Sequence, residues 1–159
     1  MTTGASPSTS GLRRFVLAVL TFGLFGVLAD LVTLQHFEDS WQLVPVVLIG
    51  LALLAIGWYL LGGGAPSVRL IQVLMLFFIA AGVAGVILHY RGNMEFQLEI
   101  DPSQRGWDLF TKVIHAKAPP ALAPGAMAQL GLLGLAYAFR HPAFGQRAAP
   151  EPPRSSKGD

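Results

Sequence analysis

Four long stretches of apolar residues, almost free of charge, constrain what this chain can fold into more than any other feature. They cover residues 12–34, 42–61, 70–88 and 122–139. An α-helix advances about 1.5 Å per residue and needs about 20 mainly apolar residues to cross the hydrocarbon core of a bilayer. The sequence therefore predicts an all-α membrane protein in which four transmembrane helices form a bundle.

The distribution of charge favours a membrane over an aqueous environment. Only 13% of the 159 residues are charged, about half of the roughly 25% that is usual in soluble proteins. Lysine and arginine flank the apolar stretches and form no basic patch interleaved with aromatic residues. We therefore expect the lipid bilayer, and not nucleic acid, as a partner, although the net charge is +2. The chain has no cysteine, which excludes thiolate metal sites and cysteine nucleophiles.

The basic residues also predict an orientation, because loops that face the cytoplasm are enriched in lysine and arginine. Arg13 and Arg14 lie at the very start of the first stretch, Arg69 follows the second, and further basic residues follow the fourth from Arg140 onwards. The connector between the first two stretches contains neither lysine nor arginine. We expect a multi-pass protein of the cytoplasmic (inner) membrane of a bacterium, with both termini in the cytoplasm.

The two ends of the chain contain too few apolar residues to form a core. Residues 1–11 and 141–159 are expected to be a disordered cytoplasmic arm and tail around a transmembrane domain of residues 12–140. An alternative is that residues 1–29 are a signal peptide cleaved after Ala29, since an arginine pair and an apolar run precede that position. The apolar run resumes after Ala29, which makes the stretch long enough to span the membrane.

Small residues within the stretches predict where helices contact one another, because helices in lipid associate by close approach of their backbones. The candidates are Gly23 and Gly26 in the first stretch, Gly82 in the third, and Gly131 and Gly134 in the fourth. Such residues usually hold a bundle together. A groove or a homodimer seam is the alternative.

Residues 91–120 are expected to form a loop on the outer side of the membrane with structure of its own. Residues 95–101 alternate strictly between polar and apolar, which is typical of a half-buried strand. Residues 103–116 follow helical spacing and predict an amphipathic helix in the outer interface of the bilayer. The apolar side of this helix carries three candidate contacts with a partner, Trp107, Phe110 and Ile114.

Asp30 is the one ionisable side chain that the prediction places inside a membrane span, and Thr33 lies about one turn further along. A carboxylate at mid-bilayer costs about 2.5–3.5 kcal/mol on insertion scales and less near the boundary. Asp30 and Thr33 are therefore candidates for a proton or cation site in a transport cycle. The alternative is that Asp30 reaches the outer interface or hydrogen-bonds to a neighbouring side chain.

Histidine offers a weaker hypothesis of metal or haem binding. His36 and His89 end the first and third stretches on the same predicted side, and two histidines at similar depth are able to ligate haem or a transition metal. Neither belongs to a ligand-spaced motif, so no cofactor is expected. His141 is interpreted as a surface residue. The triple glycine at 62–64 lacks the lysine of a phosphate loop, and no catalytic motif is present.

Three functions follow from these patterns. The leading hypothesis is a non-enzymatic accessory or scaffold subunit, assembled as a homo-oligomer or within a larger membrane complex through its small-residue faces and outer loop. The second is a small dimeric transporter that couples to protons or cations through Asp30. The third is a haem or metal protein that uses His36 and His89.

Overall fold

The computed structural model of the protein describes residues 7–35, 40–116 and 119–145, and every regular element within these ranges is helical. The helices are α1 (Pro7–Thr33), α2 (Ser40–Leu60), α3 (Gly64–Ile100), α4 (Gly106–Ile114) and α5 (Leu122–Ala138), followed by a 3₁₀ turn (Pro142–Phe144). The predicted all-α fold class is confirmed.

The surface of these helices is that of a protein whose solvent is lipid. Among the described residues, three helices are long and apolar enough to cross a membrane, namely α1 from Thr9 onwards, α2 and α3. In their most apolar segments only 17%, 22% and 28% of the residues are buried. Most of the apolar side chains therefore face outwards, where water would oppose folding and lipid does not. α5 is apolar as well but has 17 residues, which is near the lower limit for a span.

The folded part of the chain extends beyond the predicted domain of residues 12–140 at both ends. α1 begins at Pro7, inside the arm predicted to be disordered, and the 3₁₀ turn lies inside the predicted tail. Proline is tolerated in the first turn of a helix, where its missing N–H would have no intrahelical partner. The rest of the predicted arm and tail, residues 1–6 and 146–159, lies outside the described residues.

α3 is a single helix of 37 residues, and this overturns the strand predicted over residues 95–101. Phe96 and Ile100, four residues apart, lie on one helical face, and both are exposed. No glycine or proline interrupts the chain between Asn93 and Asp101, so the helix continues without losing a backbone hydrogen bond. A strand at this position would need a partner strand, and the described part of the chain supplies none.

α4 confirms the predicted amphipathic helix but begins three residues later, at Gly106. The carboxylate of Asp101 accepts hydrogen bonds from the backbone N–H and the hydroxyl of Ser103, at 3.0 and 2.6 Å, and so forms a turn. These bonds lower the pKa of Asp101. Gly106 then adopts a φ of 57°, a left-handed conformation that ends the turn and prevents an earlier start of the helix.

Glycine brings α3 and α5 into backbone contact. A Cβ added to Gly82 would lie 2.7 Å from the backbone oxygen of Pro124, and one added to Gly131 would lie 2.7 Å from the backbone oxygen of Met75. An added Cβ at Gly134 would collide with the side chain of Met75. We call this contact the glycine seam. It allows the close approach by which helices associate in lipid.

The two candidate glycines of α1 have different surroundings. Gly23 faces α5, where an added Cβ would lie 2.6 Å from Cδ2 of Leu130. Gly26 is exposed, and an added Cβ there would meet nothing within 4 Å. The close contact of α1 with α5 is therefore made by Gly23, and Gly26 faces away from the bundle.

α1 packs against α2 and α5, and α3 packs against α2, α4 and α5. The fully buried side chains of this bundle lie towards the end that carries Arg13, which we call the packed half. They include Leu20 and Leu24 of α1, Ile49 of α2, Ile71, Met75 and Phe78 of α3, and Ala138 of α5. Towards the opposite end, where α3 leads into α4, the helices leave a half-open space between them, and we call this the open half.

Candidate functional site

The most distinctive part of the molecule is a helical hairpin at the open end of the bundle. Gly85 of α3 packs against Pro124 in the first turn of α5, where an added Cβ would lie 2.9 Å from the proline Cβ. Residues 86–100 of α3 therefore extend about 22 Å beyond this contact. α4 packs back against that extension. Residues 86–114 are called the hairpin below.

Charge distinguishes the hairpin from the apolar part of α3. Residues 70–90 contain no Asp, Glu, Lys or Arg. The hairpin then contains seven such residues: Arg91, Glu95, Glu99, Asp101, Arg105, Asp108 and Lys112. Charged residues are rare in segments that lie in the hydrocarbon core.

One face of α4 packs against α3, and the opposite face is exposed. Val113 is fully buried, and its backbone oxygen accepts a hydrogen bond from Nδ2 of Asn93 at 3.4 Å. The ring of Phe110 lies 6.3 Å from that of Tyr90 on α3, and the ring of Trp107 stacks on Phe110 at 5.0 Å. Trp107 nevertheless remains 75% exposed. The surface of the hairpin thus carries a stacked aromatic pair, and the contacts of α4 with α3 fix the position of this pair.

The three predicted contact residues are therefore not equivalent. Trp107 is exposed, Phe110 is at 36% exposure, and Ile114 is partly buried. The sequence interpretation missed Phe96 and Ile100, which are 59% and 64% exposed on the α3 side of the hairpin. Their spacing of four residues is the signal of a helical face, whereas the strict alternation over residues 95–101 favours a strand.

Asp30 and Thr33 lie on the exposed side of α1, in its last two turns and near the open end of the bundle. Leu31, which is 7% exposed, marks the opposite side of the helix that faces the bundle. The side chains of Asp30 and Thr33 therefore face the surroundings of the bundle, and not its interior. The hypothesis that Asp30 couples transport to protons or cations stays a prediction.

The proposed pair of haem or metal ligands is only half described. His89 is partly buried between the helices of the open half, and His36 lies outside the described residues. Within the part of the chain that the structure describes, no three His, Asp or Glu side chains cluster in a way that could hold a metal ion. Binding of haem or metal by His36 and His89 stays a hypothesis.

At the opposite end of the molecule, Arg13 joins the beginning of α1 to the end of α5. Its guanidinium donates hydrogen bonds to the backbone oxygens of Tyr137, Phe139 and Arg140, at 2.8, 3.0 and 3.0 Å. The last carbonyls of a helix have no intrahelical partner and carry partial negative charge, so a cation stabilises them. Arg13 thus caps α5.

His141 is buried against this cap, and its interpretation as a surface residue is wrong. It is 7% exposed, its Nδ1 accepts the backbone N–H of Ala143 at 3.2 Å, and its Nε2 lies 3.4 Å from the hydroxyl of Tyr59. The 3₁₀ turn packs against α3, where Arg69 lies 5.9 Å from the ring centroid of Phe144. Burial, and next the positive charge of Arg13, lower the pKa of His141. The sequence could not show this because the turn follows the last apolar stretch.

Comparisons of the chain with protein-family models, with curated proteins and with solved structures give no match. Two features are therefore available for inferring function: the hairpin, with its exposed aromatic pair, and the open half of the bundle. The Arg13 cap has the geometry of a structural element, because the guanidinium hydrogen-bonds to three backbone oxygens of the chain itself.

Proposed function

We propose that this protein is a non-enzymatic accessory or scaffold subunit of a larger membrane complex, and that it contacts its partner through the hairpin. The observation that carries the proposal is the attachment of α4. Val113 fixes α4 to α3, while Trp107 and Phe110 form a stacked pair whose outer member is largely exposed. Exposed, rigidly held aromatic side chains are the residue type most enriched at the centres of protein interfaces.

The length of α3 supports a position of the hairpin outside the membrane. A helix of 37 residues is about 55 Å long, whereas the hydrocarbon core is about 30 Å thick. The first charge after the apolar part of α3 is Arg91. With the boundary of the core near Arg91, the packed half lies in the membrane and the hairpin protrudes from it.

The proposed topology has four crossings, with α5 as the fourth, and both termini in the cytoplasm. Arg13, Arg14, Arg69 and Arg140 all lie at the end of the bundle opposite the hairpin. Their position supports the cytoplasmic side of the inner membrane for that end, because cytoplasmic loops are enriched in basic residues. The hairpin then faces the outside.

The exposed face of α1 gives further support for assembly, either with a second copy or with a different subunit. Gly26, Asp30 and Thr33 lie on this face, and no helix of the bundle packs over them. A carboxylate exposed to lipid costs up to about 2.5–3.5 kcal/mol. A partner that covers the face and hydrogen-bonds to Asp30 would remove that cost, and Gly26 would permit its close approach.

The experiment is a pull-down from membranes in a mild detergent, combined with a photoreactive amino acid at position 107. We expect one membrane protein, or the chain itself, to be crosslinked at this position and to co-purify with the wild type. Trp107→Ala combined with Phe110→Ala should reduce its recovery at least fivefold. The matched control is Phe77→Ala, which removes an aromatic side chain that is 56% exposed within the apolar part of α3.

Three outcomes contradict the proposal. One is recovery of the wild type as a lone monomer with crosslinks to lipid only, which would identify the aromatic pair as an anchor in the bilayer interface. Another is equal loss of the partner in Phe77→Ala and in the double variant. The third is full retention of the partner by the double variant.

A further inference from the structure

The open half of the bundle contains a half-open cavity of about 520 Å³ to which α1, α2, α3 and α5 contribute. Leu31 of α1, Pro45 of α2, Ala84 of α3 and Met127 of α5 are among its lining residues. Ligand sites in proteins usually measure roughly 300–1,000 Å³ and lie between elements of this kind. The cavity lies between the helices on the hairpin side of the packed half.

Small side chains on α3 create this space. Met75 and Phe78 fill the centre of the packed half and are fully buried. One turn further along, Ala81 and then Ala84 and Gly85 line the cavity. A leucine at Ala81 or Ala84 would project into this space, so the small residue types on α3 help to keep it open.

The lining changes from apolar to polar with depth. Its deep part is formed by side chains such as those of Val27, Ala81 and Met127. Towards the hairpin it ends in Gln42, His89 and other polar side chains. His89 lies eight residues beyond Ala81 on α3, a rise of about 12 Å. No Asp, Glu, Lys or Arg occurs among the described residues that line the cavity.

We propose that this cavity binds a neutral amphipathic small molecule taken up from the membrane. The apolar body of the ligand lies among the deep residues, and its uncharged head group hydrogen-bonds near Gln42 and His89. Both of these side chains are close in depth to Arg91, where the charged part of α3 begins. A phosphate head group fits less well, because none of the described residues that line the cavity is a lysine or arginine that could neutralise it. The proposal is independent of the partner of the hairpin.

The test uses a monoacylglycerol with a photoreactive diazirine in its acyl chain, added to the full-length protein in liposomes. Labelled residues are mapped by peptide mass spectrometry. We expect adducts on the lining segments of α1 and α3, reduced at least fivefold by an excess of unlabelled monoacylglycerol. A lysophosphatidylglycerol with the same photoreactive chain should label outward-facing residues, such as Phe22 and Phe77, without saturable labelling of the lining.

Variants of α3 provide the matched controls. Ala84→Phe places a ring in the cavity, and Ala84 is itself exposed towards open space, so the larger side chain has room. It should abolish the saturable labelling, whereas Ala80→Phe, on an exposed position of the same helix that does not line the cavity, should leave it unchanged. Ala81→Leu is the second blocking variant if Ala84→Phe does not fold.

The proposal is overturned if the labelling of the lining is not reduced by competition. Equal labelling of the lining by the neutral and the charged lipid would also overturn it, because ordinary bilayer lipid would then fill the space. Undiminished saturable labelling of a folded blocking variant would have the same consequence.

Discussion

The packed half and the open half of the bundle are built from the same four helices, yet they use small residues in opposite ways. In the packed half, Gly131 and Gly134 allow α5 to touch the backbone and the side chain of α3. In the open half, Ala81 and Ala84 line a cavity. A small residue in a membrane helix thus either allows a neighbouring helix to approach closely or leaves an unfilled space between the helices.

The difference lies in what faces each small residue. Opposite Gly131 and Gly134 lie Met75 and Ile79, whose atoms fill the space that these two glycines leave. The corresponding level of the open half has small side chains on α3, and the other helices leave the centre free. Stability is therefore expected to reside in the packed half, and binding in the open half and the hairpin. Four predictions test this division.

The largest effect is expected from Gly131→Ala in the glycine seam. The added Cβ would lie 2.7 Å from the backbone oxygen of Met75 and 3.1 Å from the backbone nitrogen of Ile79, neither of which can move aside without separating the helices. We expect a loss of about 2–3 kcal/mol, measured as a lower thermal midpoint in detergent. Gly50→Ala is the control, because an added Cβ there meets nothing within 4 Å. Equal midpoints for the two variants would show that the seam is not closely packed.

The same substitution should have opposite signs in the two halves. Ala52 is fully buried in the packed half, so Ala52→Leu is expected to cost about 1–2 kcal/mol by overpacking. Ala84→Leu adds apolar volume to the cavity and should leave stability unchanged or raise it by up to about 1 kcal/mol. Thermal midpoints of the purified variants check both. The division between the halves fails if Ala84→Leu destabilises as much as Ala52→Leu.

Arg13→Gln should weaken the packed half by removing the cap of α5. Two of its three hydrogen bonds are exposed, so we expect a loss of about 1–2 kcal/mol and not the full value of three charge-assisted bonds. Arg14→Gln removes the same charge from the neighbouring exposed position and keeps the topology signal comparable. A thermal midpoint of Arg13→Gln that equals that of Arg14→Gln would rule out a stabilising cap.

The smallest effect is a dependence of stability on pH that arises from His141. Its pKa in the folded protein lies below the ordinary 6.5, so the unfolded chain binds the proton more readily. Folding is then unaffected above about pH 7, and stability falls as the pH drops through 6.5. The titratable and charged groups that face the ring are Tyr59, Tyr137 and Arg13.

The measurement compares thermal midpoints at pH 7.5 and 5.5. In His141→Gln the difference between the midpoints at the two pH values should be smaller than in the wild type. In His115→Gln, which changes an exposed position after α4, the difference should equal that of the wild type. Wild-type stability that rises on acidification to the same extent in all three proteins would contradict the prediction.

The apolar stretches and the amphipathic helix were predictable from the sequence, because each depends on a property of a single segment. Hydropathy averaged over about 20 residues indicates whether a helix lies in lipid or in water. The spacing of Trp107, Phe110 and Val113 indicates the apolar face of α4. The extension of α3 to Ile100 was missed because polar and apolar residues alternate from Glu95 to Asp101 while the backbone remains free to stay helical. The alternation over these residues favours a strand, but the helix continues through them because no residue breaks its backbone hydrogen bonds.

Whether a small or polar residue contacts the bundle, the lipid or a cavity depends on the rotation of each helix about its axis and on what its neighbours present. Gly23 and Gly26 are three residues apart in the same apolar stretch, yet one faces Leu130 and the other faces away from the bundle. His141 follows the last apolar stretch, yet the return of the chain against α2, α3 and Arg13 buries it. The chain alone thus specifies that the long apolar segments are helices and that their solvent is lipid, since both are properties of neighbouring residues. The glycine seam, the cavity and the aromatic surface of the hairpin arise only from contacts between distant segments.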